Sequence, residues 1–141
     1  MIRSVDRPRD APIVVDASVV ADALLATDAR GAWAEELVAT RPLVAPHLVQ
    51  VEVAQVVRRS VARGLMDATD ADGAHRRLLE LPVELFGYEA FADRAWELRE
   101  SMTLYDAWYV ALAEELQLPL ATCDERLGRA HGARCEFLLP P

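Results

Sequence analysis

The chain has 141 residues, 52% of them hydrophobic, and a net charge of −8. That size and apolar share suit one compact domain spanning 1–141, with a core that needs no disulfide or metal staple. They exclude a membrane-spanning helix, because every apolar stretch is broken by Asp, Glu or Arg within a few residues.

Met1 to Pro12 is polar and lacks the apolar core of a signal peptide, so residues 1–11 read as a loose N-terminal arm of a cytoplasmic protein. Ile13-Val14-Val15-Asp16 is a short apolar run ending in an acid, the pattern of a buried strand. Ala17 to Ala26 reads as a helix. Asp28 can cap a second helix running to Thr40. Leu43 to Pro46 is a strand or bend between prolines. His47 to Arg63 is a strong helix stopped at Gly64. Asp67 to Leu81 is a helix closed by Pro82, and Val83 to Phe86 a strand. Tyr88 to Ser101 and Thr103 to Gln117 read as helices. Leu120 to Thr122 is a strand, Asp124 to His131 a short helix, and Cys135 to Leu139 a last strand. Short apolar strands alternating with helices predict an α/β protein with a parallel sheet covered on both faces. Ligands collect at the carboxyl ends of such strands, where Asp16 and Asp124 stand.

All 15 basic residues are arginine, and the chain has neither lysine nor asparagine. A charge of −8 is the wrong sign for a simple nucleic-acid binder, so contact with a polyanion needs a metal ion or a local arginine surface. Cys123 and Cys135 lack the number and spacing of a zinc site or a disulfide framework and read as a reduced pair. His47, His75 and His131 are scattered, and there is no glycine-rich phosphate loop.

Four acids carry the chemistry. Asp16 and Asp124 each end a strand and open a helix, so either can be an N-cap or a site residue. Asp106 follows Thr103 at the spacing of a capping box and shares a helix side with Tyr109, Val110 and Ala113. Glu52 sits among Val49, Val53 and Val56 in an apolar stripe, where an ionised group needs an arginine or a metal as partner. Carboxylates crowded at one site push each other's pKa up unless a cation intervenes, and magnesium is the cation suited to oxygen donors.

The sequence here resembles the PIN-domain family, and more narrowly the VapC-type toxins of bacterial toxin–antitoxin pairs. Four stretches in order carry the resemblance: Ile13 to Val20, Pro46 to Arg59, Leu104 to Glu114 and Pro119 to Leu127. The resemblance implies a three-layer α/β/α fold around a short-stranded parallel sheet, and a metal-dependent endoribonuclease that hydrolyses RNA phosphodiester bonds. It implies Mg2+, or Mn2+, as cofactor, a homodimer, and inhibition by a VapB-like antitoxin. On this resemblance Asp16 and Asp106 are direct metal ligands, Glu52 and Asp124 complete the cluster through water, and Thr122 is a hydroxyl beside the site. Cys123 falls where the family varies, and the arm before Ile13 is longer than usual.

Arg126 and Arg129, one turn apart after Asp124, are candidates for RNA phosphates, with surface ion pairing as the alternative. Trp108, opposite Asp106 on its helix, is either a dimer contact or a core residue under a neighbouring helix. Phosphatase, response-regulator and dehalogenase readings of Asp16 fail, since those chemistries lean on a lysine and the last also wants an acid where Ser18 stands. A non-catalytic interaction module on the same fold remains the competing reading.

Overall fold

The computed structural model describes residues 10–141; residues 1–9 of the expected arm lie outside the described residues. Five strands, β1 (Ile13–Val15), β2 (Leu43–Pro46), β3 (Val83–Phe86), β4 (Leu120–Ala121) and β5 (Phe137–Leu138), form one sheet in the order β3-β2-β1-β4-β5. Every pairing is parallel. All of β1, β2 and β4 is buried, as expected for strands covered on both faces. The chain runs outward from β1 to β3 and then returns to lay β4 on the other side of β1. The topological switch point therefore lies between β1 and β4, and their carboxyl ends hold Asp16 and Thr122.

Seven α-helices connect the strands among the described residues: α1 (Ala17–Leu25), α2 (Ala29–Thr40), α3 (Val49–Ala62), α4 (Ala68–Glu80), α5 (Ala92–Glu97), α6 (Leu104–Leu116) and α7 (Glu125–Gly128). Helix α1 packs on α2, α3 and α4, whereas α6 packs on α5, β1 and β2. Right-handed crossovers on the outward and return paths put these two groups on opposite faces, which gives the three-layer α/β/α arrangement. Local chemistry sets the helix ends. Asp28 accepts the Gly31 N–H at 2.9 Å, Asp67 the Asp70 N–H at 2.8 Å, and the Thr103 hydroxyl the Asp106 N–H at 3.2 Å. Gly31 admits no side chain, because a Cβ there would collide with the Ala26 carbonyl at the α1–α2 turn. Gly64, at φ 70°, ends α3.

Two expectations change, and one position left open is placed. The helix expected over Tyr88–Ser101 breaks up: a 3-10 turn at Glu89–Phe91 leads into α5, and the chain then continues in i→i−3 turns to Ser101. Those tighter turns bring Phe91, Ala95 and Leu98 together into the core. On α3 the buried row is Val49, Val53 and Val57, spaced four apart, while Val56 is only half-buried. Glu52 therefore flanks the stripe rather than lying inside it. Trp108 is a core-side residue: it packs against the core and meets Tyr88 edge-on at 5.3 Å, with its indole N–H buried.

Candidate active site

Asp16 follows β1 directly and is buried, 7% exposed. It stands at the N-cap of α1 but makes no side-chain cap bond. Its Oδ2 instead accepts the Ser18 hydroxyl at 2.7 Å and the Thr122 hydroxyl at 2.8 Å. Each hydroxyl in turn accepts a backbone N–H, Ser18 from Cys123 at 3.0 Å and Thr122 from Asp124 at 3.1 Å. A hydroxyl has one proton, so accepting these N–H groups leaves that proton free to point at Asp16. The clamp ties the end of β1 to the loop after β4 across the switch point.

Glu52 lies in the first turn of α3, on the row that also holds Leu48, Gln55, Val56 and Arg59. Among the described residues no arginine pairs with it; the buried Tyr109 hydroxyl of α6 donates to Glu52 Oε1 at 2.8 Å. This bond spans the two helical layers over the strand ends. Asp106, in the first turn of α6, is half-buried. Asp124 is the N-cap of α7, its Oδ1 accepting the Arg126 N–H at 2.9 Å and the Leu127 N–H at 3.3 Å. Capping does not remove it from the site. Asp16, Glu52, Asp106 and Asp124 all line one cavity of about 550 Å³.

The electrostatics are those of an under-neutralised cluster. Burial pushes the Asp16 carboxyl above its ordinary range; the Ser18 and Thr122 hydroxyls oppose this, and the Asp124 charge adds to it. Glu52 is raised by burial and by the Asp16 and Asp106 charges, against the pull of Tyr109. Asp106 is raised by burial and by Asp16 and Asp124, with Thr103 and Arg126 opposing. Asp16, Glu52 and Asp106 are each raised in part by neighbouring acids. Arg59 lines the same cavity, and Arg126 sets its Nη2 3.6 Å from Asp124 Oδ2 on a side chain 86% exposed, a weak surface pair. As they stand, no three His, Cys, Asp or Glu among the described residues form by themselves a set that could hold a metal ion. The donor chemistry nonetheless fits a hard divalent cation, since every donor is a carboxylate oxygen and magnesium commonly takes few protein ligands and several waters. His47, His75 and His131 are all exposed, and Cys123 and Cys135 are free thiols.

The PIN domain family model matches residues 13–132, a span that contains every one of these acids. This chain belongs to the PIN-domain family. Within it, the chain is similar to ribonuclease VapC9 of Mycobacterium tuberculosis, at 38% identity over 129 residues, covering 92% of this chain and 98% of the relative. Further relatives at comparable identity also carry the name ribonuclease VapC. Two solved structures share the fold. One is Mycobacterium tuberculosis VapC20, described as a Sarcin-Ricin loop cleaving toxin (TM-score 0.59, 22% identity, 77% of this chain and 86% of that one). The other is VapBC2 from Rickettsia felis bound to a DNA fragment from their promoter (TM-score 0.61, 12% identity, 91% and 98%).

Three residues of this PIN site escaped the sequence analysis. Ser18 carries a signal that could have found it, since an Asp-x-Ser step at a helix start places a hydroxyl within reach of the acid. Tyr109 does not, because its partner Glu52 is 57 residues away. Tyr105 lines the same cavity and is 62% exposed, and only the structure shows that exposure. Among the described residues no helix is long and apolar enough to cross a membrane.

Proposed function

We propose that this chain is a metal-dependent endoribonuclease, the cytoplasmic toxin of a toxin–antitoxin pair, folded as a single domain that works as a homodimer. The observation that carries this reading is the convergence of four carboxylates, from the end of β1, α3, α6 and the N-cap of α7, on one cavity whose lining holds a single arginine, Arg59. Asp16 and Asp106 would hold Mg2+ or Mn2+ directly, with Glu52 and Asp124 acting through water. When bound, such an ion supplies positive charge against the developing phosphoryl charge and a water nucleophile at neutral pH. Ser18 and Thr122 keep one Asp16 oxygen fixed, and Tyr109 fixes Glu52, so the acids are oriented before substrate arrives. RNA is the substrate that the VapC relatives' names support, and the VapBC2 neighbour supports a VapB-like antitoxin as partner.

The test is incubation of the purified protein with total RNA and Mg2+, followed by mapping of the new ends. Discrete internal cuts that vanish with EDTA and in Asp106→Asn are expected. Intact RNA in every condition would favour a non-catalytic interaction module; cutting that survives EDTA would sink the metal dependence.

A further inference from the structure

We propose that Asp22 is a positioning residue of the acid cluster: together with Ser18, one turn earlier on α1, it grips Cys123 and so fixes the loop that carries Thr122 and Asp124. The proposal rests on the metal-dependent reading above and extends it to a residue that lines no part of the acids' cavity.

Ser18 and Asp22 stand four residues apart on α1, so both side chains leave the helix on the same side. Both reach Cys123. Its backbone N–H donates to the Ser18 hydroxyl at 3.0 Å, and its thiol meets the Asp22 carboxylate. Burial, and then the hydrogen bond and charge of Asp22, push that thiol up to about 12, so near neutrality it remains a protonated donor. Asp22 is itself held from the other side. Its side chain is 19% exposed, and Arg30, of α2, sets Nε 2.7 Å from its Oδ2. That oxygen is buried and has no aligned hydrogen bond, so Arg30 holds it by charge. What the grip controls follows from where Cys123 sits. The residue before it, Thr122, donates to Asp16 Oδ2 at 2.8 Å, and the residue after it, Asp124, lines the acids' cavity. Neighbouring Cα atoms are a fixed distance apart, so a shift of Cys123 along α1 moves both neighbours relative to Asp16. Ser18 joins the two events, since it accepts from Cys123 and donates to Asp16 at 2.7 Å. Without the thiol contact, Cys123 keeps Ser18 as its one hydrogen-bonding partner on α1 among the described residues, and a single bond leaves the loop free to pivot.

The test takes two readouts on the full chain: amide hydrogen exchange of residues 122–124 in EDTA, and calorimetric Mn2+ affinity. Cys123→Ala removes the thiol and little else. It should speed exchange in that segment about 10-fold, leave α6 unchanged, and weaken Mn2+ binding about 10-fold. Asp22→Ala should give the same pair of effects, and the double variant should be no worse than the weaker single, because both substitutions delete one contact. Cys123→Ser keeps a donor on a side chain of the same shape and should hold Mn2+ affinity within about 2-fold of the wild type. If Asp22→Ala fails to fold with Arg30 left unpaired, Cys123→Ala against Cys123→Ser decides alone. Faster exchange with unchanged Mn2+ affinity would make the grip purely structural and overturn the positioning role. Unchanged exchange in Cys123→Ala, or additive losses in the double variant, would overturn the grip itself. A wild type that binds no Mn2+ loses the metal reading and any positioning role with it. A wild type that binds Mn2+ while the variants show none of these changes loses Asp22 from the site and keeps the metal reading.

Discussion

Glu114 and Glu52 are both half-buried glutamates on long helices, yet Glu114 titrates below its ordinary range and Glu52 above it. Burial pushes both up. At Glu114 that push is outweighed by Arg94, whose Nε and Nη2 reach the carboxylate at 2.7 and 3.1 Å, and by the Arg134 N–H at 2.7 Å. Arg94 also donates to the Gly132 carbonyl at 2.8 Å, so this group staples the C-terminal segment to α5 and α6. At Glu52 the only side-chain partner among the described residues is a neutral phenol, and the nearby charges are acids. The same carboxylate is a structural staple where the fold supplies a guanidinium. Where no guanidinium pairs with it, as at Glu52, the proposed function assigns the counter-charge to a cation from solution.

The largest effect that could break this contrast is on catalysis. Asp16→Asn or Asp106→Asn should lower RNA cleavage by ~10³-fold or more while the melting temperature holds or rises, because self-repulsion falls. Cleavage at the wild-type rate in either variant would remove these acids from the site.

Next in size is the positioning of Glu52. Tyr109→Phe deletes one hydroxyl and keeps the packing, and should weaken Mn2+ affinity by about 10- to 100-fold in a calorimetric titration. Undiminished affinity would make the Tyr109–Glu52 bond purely structural.

Arg94→Ala should do the reverse of the acid variants. With Arg94 and Glu114 side chains 23% and 13% exposed, losing the fork should cost about 2 kcal/mol of stability by denaturant melts. Cleavage and metal affinity well below the melting temperature should not change; a loss of cleavage in the folded variant would merge the two clusters into one functional unit.

The smallest effect is on the pH profile of stability. Raised carboxylates bind their protons more tightly in the folded state, so the metal-free protein should lose stability as pH climbs from the ordinary carboxylate range through the raised values. Glu114 has the opposite sign: its contribution is complete above its ordinary pKa of 4.5 and is lost as pH falls through its depressed pKa. Melting scans of wild type and Asp106→Asn between pH about 5 and neutrality should show a shallower fall for the variant. A variant curve as steep as the wild type's would mean that Asp106 does not feel its neighbours.

How much of this was legible in the sequence follows the range of each interaction. Strand and helix positions were readable because apolar runs, prolines and caps such as Asp28, Asp67 and Thr103 act within a few residues. The four acids were readable as residues, two of them from their place at strand ends. Of their partners only Thr122 was, as the hydroxyl that the resemblance set beside the site, without its bond to Asp16. Glu52 was expected to need an arginine or a metal, and Tyr109 could not be foreseen from a separation of 57 residues. The clamp on Asp16 joins Thr122 across 106 residues and depends on β1 and β4 being neighbours, which the order of elements alone does not fix. The staple at Glu114 went unread because Arg94 reaches it only after the segment following Tyr88 tightens into short turns. Trp108 was undecided between core and surface, since one helix face looks the same from sequence whether Tyr88 covers it or not.

The most direct measurement is a calorimetric Mn2+ titration of three proteins under identical conditions: wild type, Asp106→Asn and Arg94→Ala. We predict a binding isotherm for the wild type, its loss in Asp106→Asn, and its retention in Arg94→Ala. Retention in Asp106→Asn, or loss in a folded Arg94→Ala, would contradict the division of these carboxylates into an open cation site and a closed structural staple.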